Sequence, residues 1–262
     1  MLPFPIGNLE IGAERHEGSY SEVWRGTLLL HSSNTPIPVY FKMLPLREFW
    51  VETACLRFAT AAGLPVGECY WGHITRSNLS ASKAWEPEEK HRMVIATRVV
   101  RGMELCSMES EQVIRALRKH PALVKICVID ELFANGDRHT DNVMIDSRGN
   151  PTFIDFGHAF GGPGNPWEDV VPRFDNVMLS ELIRGMNLRQ RGVLGGELSE
   201  AVNEIKDAMP SLNEALVNCP WRTEMMNFVQ TRLVLLRDLL SVRLEDGQQQ
   251  PLYLPTRPEI QR

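Results

Sequence analysis

"NGDRHTDNVMIDSRGNPTFIDFGHAF", residues 135–160, sets three polar, Asp-centred clusters between short apolar runs. Asp137 and Asn142 stand five residues apart, and Asp155 follows thirteen residues after Asn142. A surface loop needs polar residues, but it does not need those two intervals. "NVMID" and "PTFID" have strand character, and "SRGN" between them is a hairpin turn. Two readings compete at this point, a site for metal and phosphate or a turn-rich hairpin. The elements on either side decide between them.

Immediately upstream, "PALVKICVIDELFA" is a helix with Pro121 in its first turn. Leu123, Val124, Ile126, Val128, Ile129, Leu132 and Phe133 make it apolar on nearly all sides, so it is buried. Asn135-Gly136 ends it. "SEQVIRALRKH" is a shorter helix before it. Further back, the first hundred residues read as a small sheet with one helix. "ERHEGSYSEVWRGTLLL" is strand, glycine-containing turn and strand; "HSSNTP" turns the chain into the strand "IPVYFKML". From Pro45 the pattern changes to a helical stripe, Val51, Ala54, Cys55, Phe58 and Ala62, that stops at Gly63. "LPVGECYWGHIT" and "HRMVIATRVV" add two strands around the polar insert "SNLSASKAWEPEEK". Downstream, three helices are expected near 177–188, 199–217 and 222–243, then a loose polar tail. No internal repeat is visible.

Bulk properties restrict the function classes. A chain of 262 residues, 43% hydrophobic and 23% charged, describes an ordinary globular protein with a sizeable core. A net charge of -5 gives no general attraction to nucleic acid or anionic lipid. Cys55, Cys69, Cys106, Cys127 and Cys219 are scattered, odd in number and without a C-x-x-C pair, as expected of reduced core thiols in a cytoplasmic protein. "MLPFPIGNLEIGAERHEG" lacks the basic start and apolar run of a signal peptide, and no segment reaches the length of a membrane anchor.

Phosphoryl transfer needs a carboxylate near the accepting hydroxyl and oxygen ligands for magnesium on the phosphates. D-x-x-x-x-N, a hairpin and then D-F-G, all after a buried helix, is the order in which a kinase supplies them. Chance would have to produce both the order and the spacings. The upstream half has matching parts. Lys42 lies within the apolar strand "VYFKML", and Glu52 lies on the next helix with Glu48 one turn earlier on the same face. "EGSYSEVWRG" could cover phosphates with backbone N–H groups and the hydroxyls of Ser19 and Ser21. Only Gly18 and Gly26 are present there, and a plain hairpin fits almost as well.

"NGDRHTDNVMI", with Arg138-His139 after the aspartate, resembles the HipA-like kinases and the phosphatidylinositol kinases, both atypical branches of the protein-kinase-like fold. "FIDFGHAF" resembles either branch, whereas "REFWVETACLRFATAAGLPV" resembles the HipA-like one. The resemblance runs from about Gly18 to Trp167. It implies an α+β, two-lobed kinase-like fold: a small N-terminal antiparallel sheet with one helix (1–99) and a mostly helical catalytic lobe (100–246), and the polar, proline-bearing composition after it makes 247–262 a flexible tail. It implies Asp137 as catalytic aspartate and Asn142 and Asp155 as Mg2+ ligands. Lys42 and Glu52 match the ion pair that holds the ATP phosphates. Thr97 to Val99 match the hinge that receives adenine, while Gly18, Ser19 and Ser21, the candidates for the phosphate cover, lie in a loop with fewer glycines than the family's pattern. His139 matches either a group touching substrate or a packed structural histidine, and His158 leans to the structural side.

For the acceptor, "AFGGPGNPWEDVVPRFD" offers only Arg173 against Glu168, Asp169 and Asp175. That favours a protein substrate, with a serine or threonine hydroxyl, over a multiply charged inositol headgroup. Arg98, Arg101 and Arg138 are the cations that could meet such a headgroup. An inositol-lipid kinase and a nucleotide-binding pseudokinase are the alternatives, and the resemblance leaves room for a regulatory partner protein.

Overall fold

The computed structural model describes residues 3–10, 12–16, 22–33, 35–99, 110–118 and 120–246. The proposed phosphate cover (Gly18, Ser19, Ser21), Arg101, Cys106 and the tail at 247–262 lie outside them.

Six strands form one sheet: β1 (Ile6–Leu9), β2 (Glu14–His16), β3 (Val23–Leu30), β4 (Pro36–Lys42), β5 (Cys69–Thr75) and β6 (His91–Arg98). Their order is β1-β5-β6-β4-β3-β2, and β1 also pairs with β3, so five strands close into a ring with β2 appended. Here the structure corrects the expected antiparallel sheet: β1, unrecognised in the sequence, runs parallel to β5 and antiparallel to β3. Closure depends on glycine. Gly7 and Gly72 face each other in register. A Cβ on Gly7 would lie 2.3 Å from the Leu29 carbonyl oxygen, and one on Gly72 2.9 Å from Leu9 Cδ1. Strand alternation then sorts the side chains. Ile37, Val39 and Phe41 of β4 join Leu28, Tyr70, Ile74, Val94 and Ala96 in one buried cluster. Lys42, the next residue, therefore points to the opposite face, toward α1 (Leu46–Ala61).

Helix α1 begins at Pro45, which has no N–H to lose, and stops before Gly63 in the left-handed conformation at φ 71°. Trp50 and Phe49 pack on Trp71 of β5 with ring centroids 5.6 and 5.5 Å apart. Its other side rests on the helical half, and one continuous core joins Val51 and Phe58 to Phe133, Phe153 and Phe228.

That half contains α2 (Ser110–Leu117), α3 (Ala122–Phe133), the hairpin β7 (Val143–Ile145) and β8 (Pro151–Phe153), then α4 (Val177–Ile183), α5 (Leu188–Lys206), α6 (Met209–Ala215) and α7 (Arg222–Asp246). The described residues thus hold a mixed sheet and seven α-helices. Helix α3 is central, packed by α4, α5 and α7, as its apolar girth requires. Four helices follow the hairpin where three were expected. Gly185 at φ 78° ends α4, and Asn187 starts α5 through a reciprocal capping box with Gln190. Pro210 in the first turn of α6 separates it from α5. The glycines of "GVLGGEL" weaken the local helix signal, yet they lie inside α5, where a Cβ on Gly195 would meet Leu244 of α7 at 3.3 Å. Among the described residues, no helix is long and apolar enough to cross a membrane.

Candidate active site

The site begins where α3 stops. Ala134 turns left-handed at φ 49°, and the Asn135 N–H returns to the Asp130 carbonyl at 2.9 Å. The next three residues, Gly136, Asp137 and Arg138, diverge in role. Arg138 goes inward and is fully buried against an equally buried Asp130, with Nε 3.2 Å from Oδ2. Its guanidinium also donates to the Asn142 carbonyl at 3.4 Å and to the Ile154 carbonyl, and lies 4.3 Å from the Phe156 ring centroid. One side chain thus grips the residue carrying the candidate amide ligand and the residue before Asp155. The Ile154 N–H to the Asn142 carbonyl, at 3.0 Å, ties the same two segments again.

Asp137 points outward. Its Oδ1 lies 3.3 Å from His139 Nε2, with the two side chains 38% and 59% exposed. The packed, structural reading of His139 is therefore not what the fold contains; the ring stands at the surface beside the carboxylate. Asn142 folds its amide nitrogen back onto the Asp137 carbonyl at 2.6 Å, which fixes the side chain at the end of a single 3-10 turn, Thr140–Asn142. His158 is exposed.

Asp155 adopts a left-handed backbone at φ 62°, a conformation that aspartate tolerates better than most residues. Its Oδ1 accepts the Gly157 N–H at 3.2 Å, and its Oδ2 meets Lys42 Nζ at 2.6 Å. This revises one expectation. The direct partner of Lys42 is Asp155, while Glu52 accepts the Phe156 N–H at 2.7 Å. Glu52 still acts on the lysine through space. Burial opposes the ammonium charge, but the nearby Glu52 and Asp155 carboxylates outweigh it and hold Lys42 above its ordinary value. Asp155 also resists its burial, because Lys42 pulls it below the usual carboxylate range. Glu52 goes the other way: burial pushes it up against the pull of Lys42.

At the expected hinge, two backbone donors are already engaged. The Val99 N–H is taken by the Pro38 carbonyl at 2.9 Å and the Arg98 N–H by Glu68 at 2.9 Å, because β6 continues pairing to this point. Thr97 lies in register with Tyr40 and Cys69, and its methyl would meet a Cβ on Gly67 at 2.4 Å. The chain that follows, residues 100–109, lies outside the described set.

Two of the three cations considered for a headgroup can be placed. Arg138 is sealed in the core, and Arg98 pairs with Glu68 at 2.7 Å. Arg138 is instead the functional residue whose role the motif spacing did not reveal. A signal existed: Asp130 and Glu131 are adjacent carboxylates in a largely apolar helix, and buried carboxylates require partners. Glu131 finds Arg232 and Arg243, each at 3.3 Å. The four described cysteines are free and buried. No cluster of three or more His, Cys, Asp or Glu residues suited to a metal occurs among the described residues.

Comparison with known proteins bears on this geometry in two places. Residues 120–216, which include Asp137, Asn142 and Asp155, match the family model for phosphatidylinositol 3- and 4-kinase. A search of curated protein sequences gives no match. Among solved structures, the crystal structure of a proinflammatory kinase, CtkA, from Helicobacter pylori superposes with a TM-score of 0.53 at 14% identity, covering 89% of this chain and 96% of that one. The fold is kinase-like, and the segment bearing the D-x-x-x-x-N and D-F-G residues is similar in sequence to the phosphatidylinositol kinases.

Proposed function

We propose that the chain is an ATP-dependent phosphotransferase with an alcohol acceptor, built as two lobes, 1–99 and 100–246, around a nucleotide cleft. The observation that carries this reading is the Lys42–Asp155 ion pair, which joins the sheet to the D-F-G segment. Arg138 holds that segment to the D-x-x-x-x-N turn.

The residues present suit magnesium. Asp155 and Asn142 offer carboxylate and amide oxygens, the hard donors that Mg2+ prefers. Magnesium-bound ATP, once in place, supplies the transferable phosphoryl group and the Lewis acid charge that stabilises it. Lys42 contributes a fixed positive charge for the phosphates, kept protonated by Glu52 and Asp155. Asp137, the exposed carboxylate, orients the acceptor hydroxyl and takes its proton. His139, 3.3 Å from that carboxylate, shares the acceptor side.

For the acceptor we favour a serine or threonine hydroxyl on a protein, with the chain a HipA-like kinase. Arg138 is unavailable to a headgroup, Arg98 is engaged, and residues 159–175 supply only Arg173. The match of residues 120–216 to the phosphatidylinositol kinase model supports a second reading, an inositol-lipid acceptor. Calorimetry with ATP and magnesium tests the cleft, and absence of binding at millimolar nucleotide refutes the phosphotransferase. Offering phosphatidylinositol vesicles and a mixed protein extract to the same enzyme tests the acceptor; labelled lipid without labelled protein overturns the preference.

A further inference from the structure

The segment after D-F-G is held by contacts that the proposed reaction does not use. Arg47, in the first turn of α1, sends one guanidinium nitrogen to the Gly162 and Pro163 carbonyls at 2.8 and 2.7 Å and another to the Asn165 carbonyl at 2.8 Å. Its guanidinium carbon lies 4.1 Å from the Trp167 ring centroid. Trp167 in turn packs edge-on against Phe160, with centroids 5.5 Å apart. The backbone is shaped to present those carbonyls. Phe160, Gly161 and Gly162 have φ of 60°, 76° and 92°, and the Asn165 side chain donates to the Phe160 carbonyl at 3.0 Å. Further along, Arg232 donates to the Val170 carbonyl and Arg243 to the Phe174 carbonyl, each at 2.9 Å.

In many kinases the corresponding segment is ordered by a phosphate on a hydroxyl residue that recruits arginine. Residues 156–179 here contain no serine, threonine or tyrosine. Within this segment the arginines meet backbone carbonyls instead. The same helix carries Glu52, which holds the Phe156 N–H. Arg47 and Glu52 therefore fasten α1 to the chain on both sides of Gly157.

We infer that Arg47 is a positioning residue, a permanent clamp that fixes residues 161–167 against α1 in the acceptor-ready conformation without phosphorylation. The inference rests on the phosphotransferase reading for its consequence, but the clamp itself is measurable without activity. Arginine is required because a planar fork reaches several carbonyls while stacking on the indole; a lysine ammonium cannot do both.

The test uses the full chain with Arg47→Ala, Arg47→Lys and Trp167→Leu. Hydrogen exchange of the amides in 160–170 is expected to accelerate about tenfold or more in Arg47→Ala, as loss of charge-assisted bonds opens the segment locally. Arg47→Lys should recover only part of the protection, and Trp167→Leu should loosen the same amides if Arg47→Ala fails to fold. With casein as acceptor, Arg47→Ala should lower kcat at least about tenfold while ATP affinity by calorimetry stays within about twofold, because Lys42 and Asp155 are untouched. Unchanged exchange in 160–170 overturns the clamp, and so does full protection in Arg47→Lys. Loosened exchange with an unchanged kcat overturns the positioning role. A wild-type chain that neither binds ATP nor labels casein refutes the phosphotransferase, while the exchange result still decides the clamp.

Discussion

Replacing Arg138 with methionine removes the guanidinium but keeps most of the volume, so the consequence is electrostatic rather than a cavity. Asp130 is left as a buried carboxylate with only Asn135 donating to it, at 2.8 Å. Breaking a buried pair in this way costs about 3–5 kcal/mol. The Ile154 carbonyl also loses its donor, adding about 1 kcal/mol, whereas the Asn142 carbonyl keeps the Ile154 N–H. The total, about 4–6 kcal/mol, is comparable with the whole stability of an ordinary domain. Urea denaturation followed by tryptophan fluorescence should show a large drop in midpoint or a protein already unfolded. Adding Asp130→Asn, which removes the stranded charge and keeps the Asn135 contact, should restore about 2 kcal/mol or more. pH gives a second readout. Burial raises the Asp130 carboxyl even with Arg138 beside it, and losing the guanidinium raises it further. The folded variant then binds a proton that the unfolded chain, with an aspartate near about 3.9, still releases. The deficit relative to the unsubstituted chain should therefore shrink as pH falls from neutrality toward that value. A destabilisation below about 1 kcal/mol, or a deficit that widens on acidification, would refute the assignment of Arg138 as the buried tie.

Asp137→Ala should lower phosphoryl transfer by about a hundredfold or more with ATP affinity nearly intact, since Asp137 faces outward; wild-type rates by labelled-ATP assay would remove it as base. Asp155→Ala should weaken magnesium-dependent nucleotide binding in calorimetry, and unaltered binding would dismiss it as a metal ligand. Because Lys42 depresses the Asp155 carboxyl in the folded chain, that group contributes stability above the unfolded aspartate pKa and loses it as pH falls through the folded one. Acid unfolding should therefore begin at higher pH in Lys42→Met, scored by circular dichroism, if other carboxyls are undisturbed. Gly7→Ala should destabilise the sheet by about 1–3 kcal/mol or more, as its Cβ would lie 2.3 Å from the Leu29 carbonyl oxygen; a neutral thermal melt would mean that β1 does not close the ring.

The sequence by itself determined what depends on spacing and local pattern. Asp137, Asn142 and Asp155 sit around one hairpin because the intervals between them are short enough for a turn and two strands to set. Helices α1 and α3 followed from apolar periodicity, and strands β3 to β6 from composition and punctuation. The tertiary structure alone decided everything that depends on distant segments meeting. Strand β1 is four residues long with two of its four being glycine and asparagine, so nothing local marks it; its pairing with β3 and β5 makes it a strand. Helix α5 contains three glycines, of which Gly195 packs on Leu244 of α7, a tertiary contact that a propensity reading cannot see. At the site, residue type named Lys42, Glu52 and Arg138 as charged groups, and the resemblance paired Lys42 with Glu52, but the direct partners are set by the fold. Lys42 meets Asp155, Glu52 meets the backbone of Phe156, and Arg138 faces inward, because in a buried setting partner choice follows three-dimensional distance and desolvation, neither of which is encoded in the separation along the chain.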